Sequence, residues 1–251
     1  MGQIGCQDCT LFYTASRWFV NGHTCCFRNI YSGSLTERSV IPLAEHTGEN
    51  RIILQGGVAA PPAFSHRNHG VDYYTIPLRV PRLSGAEDLV NLISADPDPA
   101  LWKPEGWVEI EGEVRSYNNR TGVGSRLVIT VLVRAARPTR PGEGENHLML
   151  SGALCKPPVR RRTPLGREIC DLLLAVNRPY GRADYLPCIA WGSLAVLCGG
   201  MKVGDHLRLE GRLQSRQYRK VVDGQETTRT AYEVSVMNLL PPLGEEEVPG
   251  V

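Results

Sequence analysis

Glu49-Asn50-Arg51-Ile52-Ile53-Leu54-Gln55-Gly56 returns 96 residues later as Glu145-Asn146-His147-Leu148-Met149-Leu150-Ser151-Gly152. The match continues outward from this stretch. Pro61-Pro62 recurs as Pro157-Pro158, and Val80 and Arg82 recur as Val176 and Arg178. Further on, Val108-Glu109-Ile110-Glu111-Gly112-Glu113-Val114 answers to Leu207-Arg208-Leu209-Glu210-Gly211-Arg212-Leu213. A repeat of this length is too long for a solenoid unit and fits a small domain. The 251 residues therefore divide into an extension at 1–44, a first domain at 49–137, a second at 145–242 and a short acidic tail at 243–251. The Pro/Gly-rich segment 138–144 is a short linker that keeps the two domains close.

Within each copy the pattern is that of strands. Residues 50–58 and 146–154 run apolar or alternate, and 73–80 and 168–176 form a second strand. Residues 88–94 and 184–191 form a third, 107–116 and 206–215 a fourth, and 126–135 and 230–239 a fifth. Asp223-Gly224 before the last strand is a favoured hairpin turn. Five strands in so short a unit predict a small closed barrel. The apolar segment 192–198 predicts a helix between strands three and four of the second copy, as in an OB-fold. The first copy has Pro97 and Pro99 there, so a loop is expected, with Asp96 and Asp98 as turn residues. The fold class is all-β with a minor helix: two tandem five-stranded OB-fold barrels.

Composition agrees with a folded, soluble protein: 42% hydrophobic and 22% charged residues. No apolar run is long enough to span a membrane, and the N-terminus has no signal-peptide pattern, so the cytoplasm is the expected location. The net charge of +2 is unevenly spread. Residues 145–242 hold 14 Lys/Arg against 9 Asp/Glu, whereas residues 49–141 hold 11 against 10. The second copy is the one suited to an anion such as nucleic acid. Cys155, Cys170, Cys188 and Cys198 stand among apolar residues and read as small buried hydrophobes. Cys6, Cys9, His23 and Cys25-Cys26 break the spacing of a zinc site, and no metal or cofactor is expected. No P-loop, nucleophile elbow or paired C-x-x-C is present, so no enzyme is expected, and His66 and His69 read as turn residues.

Single-strand binders need aromatic faces for bases and cations for phosphates. The second copy offers Tyr180, Tyr185, Trp191 and Tyr218 at or near strand ends or in connecting loops. Around them lie Arg160, Arg161, Arg162, Arg178, Arg182, Arg208, Arg212, Arg216, Arg219 and Lys220. Three segments carry a family resemblance: Cys188-Ile189-Ala190-Trp191-Gly192-Ser193-Leu194-Ala195, then Lys202-Val203-Gly204-Asp205, then Leu209-Glu210-Gly211-Arg212-Leu213-Gln214-Ser215-Arg216-Gln217-Tyr218. With Thr230-Ala231-Tyr232-Glu233-Val234, they make residues 145–242 resemble the bacterial single-stranded DNA-binding proteins. The resemblance implies base stacking on Tyr180, Tyr185, Trp191 and Tyr218. It implies sequence-independent binding of single-stranded DNA in replication, recombination or repair, within the bacterial nucleoid. It also implies assembly: an internal pseudo-dimer of barrels, and a pseudo-tetramer from two chains. The resemblance also offers replication or repair proteins as partners, although the short tail here lacks the terminal Phe by which family tails recruit them. Rival readings are an RNA-binding OB protein, a primosome accessory protein and a protein-docking scaffold.

The first copy loses the platform position by position. Ser84, Leu89, Ala95 and Asn119 stand where the second has Tyr180, Tyr185, Trp191 and Tyr218. Glu109, Glu111 and Glu113 share one strand face, a stripe that repels phosphate, where the second copy has Arg208, Glu210 and Arg212. The first barrel is therefore expected to be structural and the second to bind.

Overall fold

The computed structural model describes residues 49–119, 125–222 and 225–242, together with three strands in the extension. Those strands are β1 (Leu11–Thr14), β2 (Arg17–Val20) and β3 (His23–Cys25), an antiparallel meander in its own compact unit. Cys6, Cys9 and Cys26 lie outside the described residues.

Residues from Glu45 onward form the second unit. The first copy contributes β4 (Asn50–Val58), β5 (Ala63–Asn68), β6 (Val71–Pro81), β7 (Glu87–Ser94), β8 (Trp107–Asn118) and β9 (Leu127–Thr139). The second contributes β10 (Glu145–Leu154), β11 (Val159–Arg162), β12 (Glu168–Arg178), β13 (Arg182–Trp191), α1 (Ser193–Cys198), β14 (His206–Val222) and β15 (Gln225–Leu240). Strands β4-β8-β9-β7-β6 form one sheet, closed by pairing of β6 with β4; β10-β14-β15-β13-β12 close in the same way through β12 and β10. Each is a five-stranded barrel, and β5 and β11 add a short edge strand to each.

Closure depends on two glycines of the repeated stretch. A Cβ on Gly56 would lie 2.2 Å from the carbonyl oxygen of Arg79, and one on Gly152 would lie 2.6 Å from that of Ala175. Only glycine lets the first strand press against the second tightly enough to shut the barrel. Alternate residues then point inward. Ile52, Leu54, Leu78, Leu92 and Ile110 fill one barrel, and Leu148, Leu150, Leu174, Leu186 and Leu209 the other, all buried. Each such side chain is worth about 1.5–3 kcal/mol over exposure. Between the third and fourth barrel strands, α1 buries Ala195 and Cys198. The first barrel has no helix there. Trp102 fills the place, 1% exposed, donating its indole N–H to the Asp96 carbonyl at 2.8 Å. Asp96 and Asp98 are turn residues, each carboxylate accepting the backbone N–H two residues on.

The barrels are joined along β4 and β10, which pair antiparallel with Ile52 opposite Leu148. These two residues are equivalents in the repeat, so a pseudo-twofold axis passes between them. Contacts within each barrel repeat in matched sets. Asn50 bonds both backbone groups of Val114, and Asn146 those of Leu213. Arg51 meets Glu111 at 2.7 Å, and His147 meets Glu210 at 2.9 Å. The antiparallel pairing of equivalent strands β4 and β10 about a twofold axis is what an isologous dimer uses; here both halves lie in one chain.

Candidate nucleic-acid interface

The second barrel's outer face is set by strand alternation. On β13, Asp184, Leu186, Cys188 and Ala190 point inward, leaving Tyr185, Pro187 and Trp191 on the other side. Trp191 is 38% exposed and sits opposite Ile169, which in turn pairs with Arg161 of β11. On β14, Leu209, Gly211 and Leu213 are buried, so Arg212, Arg216 and Tyr218 face outward. The registers through β15 place Arg212 level with Ile189 and put Tyr218 beyond Tyr185. Tyr180 sits in the one-turn 3-10 segment Pro179–Gly181, at the same end of β13 as Tyr185; its side chain lies outside the described residues. Three of the four aromatics thus gather at one end of the face. Trp191 lies at the other, six residues and about 20 Å from Tyr185.

The expected cations divide into two groups. Arg182 and Arg216 are exposed. Arg161 pairs with Asp171 at 2.6 Å, and Arg162 with Glu168 at 2.6 Å; Arg160 lies 3.6 Å from Glu168. Arg219 lies 3.7 Å from Glu226, on the opposite face of β14 from Tyr218. These are exposed surface pairs, worth little and readily exchanged for a phosphate. Arg212 is half-buried, and its Nε has no hydrogen-bond partner among the described residues. The Lys220 side chain lies outside the described residues.

Arg178 and Arg208 are differently placed. Arg208 Nε donates to Glu49 at 2.8 Å, tying β14 to the start of β4. Arg178 is bound to Asp184, which is fully buried and also accepts the Ser116 N–H of the first barrel at 2.5 Å and an N–H of Arg115 at 3.1 Å. Ser116 completes the set: its carbonyl accepts from Arg178 at 3.2 Å, and its hydroxyl oxygen from the Tyr185 N–H at 2.7 Å. The mirror set stands on the other side of the pseudo-axis. Arg82 binds buried Asp88, which accepts the Ser215 N–H at 2.6 Å; Arg82 reaches the Ser215 carbonyl at 3.2 Å, and Leu89 donates to the Ser215 hydroxyl at 2.9 Å. Two reciprocal Arg–Asp–Ser clusters lock the barrels together. Sequence reading missed them, although the signal was there: Arg and Asp six apart, twice, at the repeat offset.

The glutamate stripe of the first barrel is not bare. Glu111 pairs with Arg51, Glu109 with Arg137, and Glu113 with both Arg134 and Arg115. Burial works against ionisation of Glu113, but the hydrogen bond from Arg134 and the charge of Arg115 outweigh it and hold its carboxyl below the usual range. The stripe is neutralised, so it does not repel an anion as its sequence suggested.

The model of the "Single-strand binding protein family" matches residues 145–240. The single-stranded DNA-binding protein 2 of Listeria innocua is 30% identical over 109 residues, covering 41% of this chain and 68% of its own length. The chain belongs to the single-strand binding protein family. The single-stranded DNA-binding protein of Halalkalibacterium halodurans is 30% identical over 112 residues, 42% of this chain and 66% of the relative. The chain spans about half to two thirds of the length of the curated relatives it matches. The crystal structure of the wild-type single-stranded DNA binding protein from Thermus aquaticus superposes with a TM-score of 0.62 at 23% identity, over 81% of this chain and 97% of that one. The likeness in fold therefore extends beyond residues 145–240 to the first barrel.

Proposed function

We propose that this protein binds single-stranded DNA without strong sequence preference, in replication, recombination or repair, and performs no chemical step. The observation that carries the reading is the shared outer face of β13 and β14. There Tyr185, Trp191 and Tyr218 lie among Arg161, Arg212 and Arg216, with Tyr180 in the adjoining turn. Aromatic faces accept any base, and arginines follow the backbone, so such a surface is tolerant of sequence. Arg160, Arg162 and Arg182 extend the cationic rim, while Arg219 stands on the other face of β14. Arg178 and Arg208 serve the fold, through Asp184 and Glu49. The first barrel supplies the other half of the internal pseudo-dimer, and two chains assemble into a pseudo-tetramer in the bacterial cytoplasm.

Fluorescence anisotropy with labelled oligo-dT, oligo-U and duplex DNA tests this. Tight binding of oligo-dT, weaker binding of oligo-U and little of duplex is expected. Preference for oligo-U transfers the reading to RNA, and no binding of any of the three favours a docking scaffold. Size-exclusion chromatography with light scattering that finds a strict monomer overturns the two-chain assembly.

A further inference from the structure

We propose that the first barrel carries its own base-stacking site, built from residues with no aromatic counterpart in the second, and that it takes bases of the same single strand. The inference rests on the single-strand reading of the second barrel. A cleft of about 520 Å³ opens on the outer face of the first barrel, lined by His66, Tyr73, Ile93, Arg115 and Tyr117, with Arg178 from the second barrel. That volume is within the range of sites for ligands the size of a nucleoside. The strand order places His66 and Tyr73 on one side and Arg115 and Tyr117 on the other, with β7 and β9 between.

The geometry is that of a stacking site. A bulge at Ser65 sets His66 opposite Tyr73. Their rings stack with centroids 5.1 Å apart and planes 10° from parallel. Tyr117 is 56% exposed, a large ring offered to solvent. At the equivalent positions the second barrel has Arg162, Ile169 and Arg216, none aromatic. His66 and Tyr73 stand on strands other than those of the platform positions lost at Leu89, Ala95 and Asn119, and Tyr117 stands on β8 two residues before Asn119. The cleft also continues the proposed site. Ser116, which precedes Tyr117 and lines the cleft, accepts the Tyr185 N–H, and Arg178 borders the cleft from the end of β12 beside the Tyr180 turn. A strand leaving Tyr180, Tyr185 and Tyr218 therefore meets the cleft next.

Anisotropy titrations of the full chain with two oligo-dT lengths test this. One is the shortest that saturates the second barrel, and the other is about twice as long. Tyr117→Ala is expected to weaken the longer oligonucleotide by about tenfold and the shorter by less than about twofold, while Tyr117→Phe, which keeps the ring, matches wild type. Exposure of Tyr117 makes loss of folding a small risk, and circular dichroism checks it. Unchanged affinity for the longer oligonucleotide, or equal losses on both, overturns the inference while leaving the second barrel's role intact. A wild-type chain that binds neither length overturns the second barrel's role, and this inference with it.

Discussion

The two barrels share a scaffold and differ on the surface. Inward residues are nearly interchangeable between copies: Ile52 and Leu148, Leu54 and Leu150, Gly56 and Gly152, Gly112 and Gly211. Outward residues are not. The second barrel spaces rings along β13 and β14 among exposed arginines. The first replaces these rings, ties its glutamates to arginines, and sets a different group of rings on β5, β6 and β8. Core packing fixes the barrel within narrow limits, because density and strand closure admit few side chains. The outer face carries no such constraint, so function diverges there.

The largest expected effect comes from the interface that holds the comparison together. Asp184 and Asp88 occupy mirror positions, but Asp184 meets two arginines and Asp88 one. Removing one member of a buried charged set leaves the other uncompensated. Asp184→Ala is expected to cost about 3–5 kcal/mol in guanidinium unfolding of the full chain. Asp88→Ala should cost less by at least about 1 kcal/mol, since one charged hydrogen-bond set is missing. Equal losses would show that the pseudo-symmetry is energetically complete and that Arg115 adds nothing.

Next in size is the platform itself. Replacing Trp191 and Tyr218 together with Ala is expected to weaken oligo-dT binding about 100-fold, at roughly tenfold per ring, with little change in thermal stability. A loss under threefold would place the binding surface elsewhere. Smaller still is the division of the arginines. Arg216→Ala should lower the slope of log affinity against log salt by about 0.7, the share of one phosphate contact on a single strand. Arg178→Ala should leave that slope unchanged and destabilise the fold, because its guanidinium is bound to Asp184. A reduced slope for Arg178→Ala would restore it as a phosphate contact.

The smallest effect concerns the thiols, which the first barrel lacks. Burial raises the Cys188 thiol far above its ordinary range, and burial with neighbouring Cys170 pushes Cys198 up to about 11. Only the thiolate is nucleophilic, so both should resist a thiol reagent at neutral pH in the folded chain and react on unfolding. Rapid labelling of native Cys188 would mean that the second barrel opens locally.

Much of this architecture is legible in the sequence because the repeat doubles every signal. The ten barrel strands, the helix at 193–198 and its absence from the first copy follow from alternation and from Pro97 and Pro99. Strands β5 and β11 do not, because every residue in them is exposed and leaves no pattern of alternation. His66 reads as a turn residue for the same reason: the bulge that sets it against Tyr73 has no sequence signature. Arg178 reads as a phosphate contact because an arginine's identity does not reveal its partner. That partner, Asp184, stands across a hairpin turn, and the Ser116 backbone that completes the cluster comes from the other barrel.

The most direct test of the central claim is quenching of intrinsic tryptophan fluorescence by unlabelled oligo-dT at two salt concentrations. Of the three tryptophans in the two barrels, Trp102 is buried, Trp107 is half-buried on the first barrel, and Trp191 is the exposed one on the proposed face. The account predicts strong quenching at low salt, weakened at high salt and largely lost in Trp191→Phe. An absence of quenching at low salt, or quenching that survives in Trp191→Phe, would contradict it.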